Sequence, residues 1–353
     1  MFAHPVKRLL YRTSKRLSGM AFRSLFSTLV ALAVASAASA APSLSLSLSR
    51  PKEVSSIIDL QITAALKNTG DVELKLLKDP RTVLHTFQTN TFSITNAAGD
   101  SPAFTGAYVK YVPSTALAKN LDTSFVVLAP GAAINVTHDL SKAYNFTSSG
   151  HGSYSLVAGN EFQYIDPATN SLQFISANMA DATHTTVVSG QLAIAQPPSS
   201  LERRIKYTGC TADQQSQVSA AADQAQKYAH LARVYLNQNR ISTPRFVTWF
   251  GKFSDAHHKT IHRHFINMAT HKYRQYNYNC NCQEDSYAFV HPNDDSTIHL
   301  CTDFWTAPLE GTDSQGGTLV HESSHFTSIA GTDDIVYGQD DAMKLASNHP
   351  KRA

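Results

Sequence analysis

Apolar and polar positions alternate with period two through much of residues 43–195. Ile62, Ala64 and Leu66 point one way between polar neighbours, Asn68-Thr69-Gly70-Asp71 is a turn signal, and Val72, Leu74 and Leu76 resume the alternation. Further short runs fall at Phe92–Thr95, Phe125–Leu128, Ser153–Val157 and Thr185–Ile194, separated by Gly, Pro, Asn and Asp. Many short strands so spaced predict a β-sandwich. Gln196-Pro197-Pro198-Ser199-Ser200 then reads as a linker. Beyond it the period becomes helical. Val218, Ala221, Ala225, Tyr228, Ala232 and Tyr235 share one face of a segment spanning Ala212–Asn237, and Ile261, Phe265 and Met268 share one face of His257–His271. Tyr287–Val290 and Thr297–Leu300, joined by Pro292-Asn293-Asp294-Asp295, predict a β-hairpin, and Thr318–Ile329 predicts another helix. The fold class is therefore α+β: an all-β, sandwich-like domain followed by a mainly helical one with a small hairpin.

A chain of 353 residues accommodates two domains comfortably. The formal net charge of +3 divides unevenly: residues 1–40 carry +6, residues 41–204 carry −1 and residues 205–353 carry −2. The positive excess belongs to the leader, so the body of the protein has nothing basic to offer nucleic acid. The leader itself reads as a secretory signal. Six basic residues from Lys7 to Arg23 precede an apolar run, Leu25–Val34, that is too short to span a bilayer, and Ala38-Ser39-Ala40 is a small-residue cleavage site. Met20 is an alternative initiator that leaves a compact signal. Secretion, with no stable membrane anchor, follows as the expectation. The four cysteines, Cys210, Cys280, Cys282 and Cys301, agree with export and suggest two disulfides. Cys280 and Cys282 are badly placed to bond each other, which leaves two pairings with Cys210 and Cys301 open. Asn135-Val136-Thr137 and Asn145-Phe146-Thr147 are glycosylation sequons. Arg203-Arg204, in the linker, is the expected cut for a processing protease.

His321-Glu322-Ser323-Ser324-His325 is an HExxH motif. On a helix, two histidines four apart project from one face and can chelate one Zn²⁺, with Glu322 beside the metal to take a proton from its water. The metal lowers the pKa of that water towards about 7 and polarises a scissile carbonyl. In a chain with 16 His and 27 acids, an accidental HExxH has an upper-bound chance of about one in twenty, so the surroundings matter. Thr318-Leu319-Val320 leads in with apolar positions, Phe326 follows, and Gly331 can end the helix. Catalytic zinc usually takes a third protein ligand and keeps an open position. Asp333 and Asp334, just after the turn, are both candidates, and Tyr337 could place a hydroxyl near a developing oxyanion. His258 and His262 are also four apart, but no Glu or third ligand accompanies them, and a solvated helix face is the better reading.

HExxH followed by Gly331-Thr332-x-Asp334-x-x-Tyr337-Gly338 resembles the aspzincins, the deuterolysin group of fungal zinc metalloendopeptidases. The resemblance covers residues 207–353, with Tyr207-Thr208-Gly209-Cys210, Thr248-Trp249-Phe250-Gly251, Cys280-Asn281-Cys282 and Gly311-Thr312-Asp313-Ser314 also alike, and it is strongest to peptidyl-Lys metalloendopeptidases. It implies a zincin-like catalytic domain with zinc held by His321, His325 and Asp334. It also implies Glu322 as general base, Tyr337 as oxyanion donor, and disulfides Cys210–Cys280 and Cys282–Cys301. The β-rich region resembles the propeptide of the same enzymes. The family's acidic residues that recognise lysine on the carboxyl side of the cut lie in a segment expected beyond Ala353, where this sequence stops, and no lysine-recognising acid is assigned within it.

The expected organisation is a signal peptide at 1–40, a β-rich propeptide at 41–204, and a catalytic domain at 205–353 that ends before that segment. The expected protein is a secreted, zymogen-type zinc endopeptidase, one zinc per monomeric chain, acting on protein or peptide substrates with lysine after the cut. A broader deuterolysin-like protease and a non-catalytic peptide- or zinc-binding relative are the alternatives.

Overall fold

In the β-rich half, hydrophobic alternation produces two sheets that close on each other. A computed structural model of the chain describes residues 41–179, 184–194 and 205–352. The leader and the linker with Arg203-Arg204 lie outside the described residues. One sheet has seven strands, in the spatial order Phe125–Leu128, Leu74–Leu77, Glu161–Asp166, Ser171–Met179, Leu44–Ser49, Gln61–Asn68, Ala133–Asp139. The other has four: Glu53–Ser56, His184–Gln191, Gly152–Ala158, Phe92–Asn96. The alternating residues point inward as expected. Leu44, Leu46, Ile62, Leu66 and Leu76 from the first sheet share a core with Ile94, Tyr154, Leu156 and Val188 from the second. The region is not wholly β, because Pro113–Lys119 forms a short helix with Pro113 at its first turn.

The second half is built on three helices. Ala212–Gln238 opens with a capping box, in which the Thr211 side chain accepts from the Gln214 N–H while the Gln214 side chain accepts from the Thr211 N–H. Its buried face is mostly alanine (Ala221, Ala222, Ala225, Ala229), which lets neighbouring helices approach closely. Asp255–Thr270 packs against it, as does Gln315–His325. That last contact is tight: a Cβ on Gly316 would stand 2.7 Å from Cγ of Gln224. His258 departs from the sequence reading. It is buried rather than solvated, its Nε2 lies 3.0 Å from the Leu236 carbonyl oxygen, and it forms part of a core rather than a metal site.

The predicted hairpin is present as Ala288–Val290 paired antiparallel with Thr297–Leu300. It extends into a five-stranded sheet, ordered Lys206–Thr208, Asn277–Asn279, Thr297–Leu300, Ala288–Val290, Tyr108–Lys110. The last strand belongs to the β-rich half. It pairs antiparallel with Ala288–Val290, aligning Lys110 with Ala288, Val109 with Phe289 and Tyr108 with Val290. Cys210 bonds Cys280 and Cys282 bonds Cys301, the pairing the resemblance implies. Among the described residues no helix is long and apolar enough to cross a membrane.

Candidate metal centre

The helix Gln315–His325 starts where Ser314 caps it, its side chain accepting from the Gly317 N–H at 3.1 Å. It ends at His325, earlier than the predicted Ile329. Phe326 leaves the helix for an extended conformation and is fully buried. Its carbonyl then collects the N–H groups of Ile329, Ala330 and Gly331. Gly331, at φ 59°, therefore serves the turn after the helix rather than the helix end. That turn is pinned by Asn267 Nδ2, which donates to the Ile329 carbonyl at 2.7 Å. It folds the chain back so that the Thr332 N–H reaches the Ser324 carbonyl at 3.1 Å and the two hydroxyls meet at 2.7 Å.

The return brings Asp334 onto the histidine face. Its Oδ1 lies 3.3 Å from His321 Nε2 and 3.5 Å from His325 Nε2, and the two Nε2 atoms are 3.2 Å apart. Asp333 points elsewhere, its Oδ1 accepting from the Tyr108 hydroxyl. Of the two sequence candidates, only Asp334 joins the cluster, and among the described residues this is the one group of three His, Cys, Asp or Glu side chains positioned to hold a metal ion.

Several features of the cluster fit a cation. His325 Nδ1 lies 2.7 Å from the Thr332 carbonyl, which fixes the proton on Nδ1 and turns the lone pair of Nε2 towards Asp334. Burial, above all, holds the His325 imidazole down at about 4, so it stands neutral. Asp334 is held at about 2 although burial opposes ionisation, because both histidines favour its charged form. Glu322 is fully buried, and neither carboxylate oxygen has a hydrogen-bond partner. Burial and then the Asp334 charge push its pKa well up, and the positive charge of Lys110 offsets only part of that. Converging acceptors beside an unpartnered buried carboxylate are what a missing positive charge leaves behind.

Tyr337 closes the other side. Its hydroxyl donates to the Val109 carbonyl oxygen and lies 3.3 Å from Asp334 Oδ2. Burial, and next the Asp334 charge, keep the phenol protonated well above its ordinary range. All five sequence-predicted residues thus meet in one place. The pattern gave no signal for their neighbours from the β-rich half. The Tyr108 ring stacks on His325 with centroids 4.6 Å apart, and Arg81 lies 4.1 Å over the Tyr337 ring.

Residues 235–353 match the aspzincin family described as lysine-specific metallo-endopeptidase. A peptidyl-Lys metalloendopeptidase of Grifola frondosa is 48% identical over 307 residues, covering 87% of this chain and 88% of the relative. One of Armillaria mellea is 49% identical over 308 residues, covering 87% of each. An extracellular protease of Aeromonas hydrophila is 28% identical over 310 residues, covering 84% of each. A solved zinc peptidase of Grifola frondosa is 43% identical, covering 40% of this chain and 88% of that one, with a TM-score of 0.40. With nearly half its residues shared along almost its whole length, this chain belongs to the aspzincin family and is a zinc metalloendopeptidase.

Proposed function

We propose that this protein is the latent precursor of a secreted endopeptidase that cuts peptide bonds before lysine. The observation that carries the reading is the convergence of His321, His325 and Asp334 beside the buried, unpartnered Glu322. The first three would hold the metal, and zinc bound there would supply an acidified water and polarise the substrate carbonyl. Glu322 takes the water proton and passes it to the leaving amine. Tyr337 donates to the carbonyl oxygen as negative charge develops on it. The preference for lysine is supported by the names of the two relatives that share nearly half their residues with this chain. Latency is supported by the strand Tyr108–Lys110, which lies across this cleft from the β-rich half. Without a cysteine before Cys210, no thiolate from that half can ligate the metal, so the block is steric or acts through another ligand. Processing near Arg203-Arg204 would release it.

Zinc content of the purified chain tests the centre. One zinc per chain is expected in the parent and in Asp333→Ala, with loss in His321→Ala, His325→Ala and Asp334→Ala. Full zinc in Asp334→Ala removes that residue from the site.

A further inference from the structure

The strand that covers the centre does so with the polarity of a substrate. It adds antiparallel to the strand Ala288–Val290, the mode by which sheet edges capture extended peptides. The Val109 carbonyl accepts from the Tyr337 hydroxyl, the group assigned above to a scissile carbonyl. The peptide bond that carries this carbonyl joins Val109 to Lys110. The side chain after this peptide bond is a lysine. Its side chain is only 14% exposed, and its ammonium lies 3.1 Å from Asp313 Oδ1 and 5.1 Å from the centroid of the Tyr287 ring.

We infer that Tyr108-Val109-Lys110 is an internal substrate: the enzyme is kept latent by its own preferred sequence, with the Val109–Lys110 bond in the scissile position and Asp313 as an acid that reads the lysine. This rests on the function proposed above. It also places a lysine-recognising carboxylate within the present chain, where sequence reading assigned none. Asp313 suits the task because its backbone sits just before the helix Gln315–His325, on which His321 and His325 lie. Productive cleavage adds water across the bond: the Val109 carbonyl carbon gains the hydroxyl and the Lys110 nitrogen gains the proton.

Three measurements test the inference, each on the zinc-loaded full chain or on that chain processed at the linker. First, a synthetic peptide of residues 104–114 is offered to the processed enzyme. Cleavage between Val109 and Lys110 is expected, with at least a tenfold loss when the lysine is replaced by methionine. Cleavage at another bond, or no dependence on the lysine, overturns the inference. Second, Lys110→Met in the unprocessed chain should raise hydrolysis of an added lysine-containing peptide about tenfold or more and speed amide exchange at 288–290. Unchanged latency and exchange overturn it. Third, Asp313→Asn in the processed enzyme should raise KM for lysine peptides at least fivefold and leave kcat nearly unchanged. Asn is well suited to this position because it tolerates the left-handed backbone there, φ 48°. An unchanged KM removes Asp313 from lysine recognition. If the processed parent cuts no peptide at all, the proposed function fails. If it cuts peptides but these three results are absent, only the inference fails.

Discussion

The Arg81 guanidinium stands 4.1 Å over the Tyr337 ring while holding the Asp79 carboxylate in a fork, Nε to Oδ1 at 3.0 Å and Nη2 to Oδ2 at 2.6 Å. Asp79 is almost wholly buried. Removing the arginine therefore leaves a buried carboxylate with only the Arg81 backbone N–H beside it. Arg81→Ala should destabilise the unprocessed chain by about 3 kcal/mol, the scale of a broken buried pair, measured by denaturant unfolding. Asp79→Asn combined with Arg81→Met should cost clearly less, because no charge is then stranded. Equal losses in the two proteins would contradict this account.

Tyr337 is expected to matter only once charge develops on the substrate carbonyl. Tyr337→Phe in the processed enzyme should lower kcat by roughly 10–1000-fold, the scale of one oxyanion donor, with KM little changed. A raised KM with kcat intact would make it a substrate-binding residue instead.

Glu322 is not in the ligand cluster. Glu322→Gln should keep one zinc per chain and a full folding transition while losing about 10²–10⁴ in kcat, the range of a positioned general base. Zinc analysis and steady-state kinetics on the same preparation separate the two roles, and substantial remaining turnover would rule out the proton-transfer role.

Acid should loosen the contact between the halves. On one side His85 packs on Phe87, which meets Phe289 edge-on at 4.9 Å; on the other, His299 stacks on Phe289 at 4.3 Å. Burial, chiefly, depresses both imidazoles to about 4. Glu284, 3.7 Å from His85, is half exposed and does not reverse this. Both histidines are neutral in the fold and bind a proton more readily when unfolded. Their contribution is complete above about pH 6.5 and is lost as pH falls towards 4, by on the order of 3 kcal/mol each. The melting temperature of the unprocessed chain should fall across that window. The fall should shrink when His85→Gln and His299→Gln are combined, and an identical pH profile in that variant would place the acid sensitivity elsewhere.

The sequence determined the elements whose cause is local. Alternation at Ile62, Ala64 and Leu66 fixed which face of that strand is buried. The four-residue spacing of His321 and His325 fixed two imidazoles on one helical face. The short segment from Gly331 to Tyr337 confined the third ligand to Asp333 or Asp334, a choice the family resemblance made for Asp334. Tertiary structure placed Asp334 beside the histidines and gave Asp333 to Tyr108, a residue 225 positions away. It buried His258 in a core, although the helical pattern around it read as solvated. It also laid Tyr108–Lys110 against Ala288–Val290 and set Lys110 beside Asp313. No periodicity records these last contacts. A three-residue edge strand is too short to show alternation, and an ion pair spanning 203 residues depends on how two halves dock rather than on any local preference of the chain.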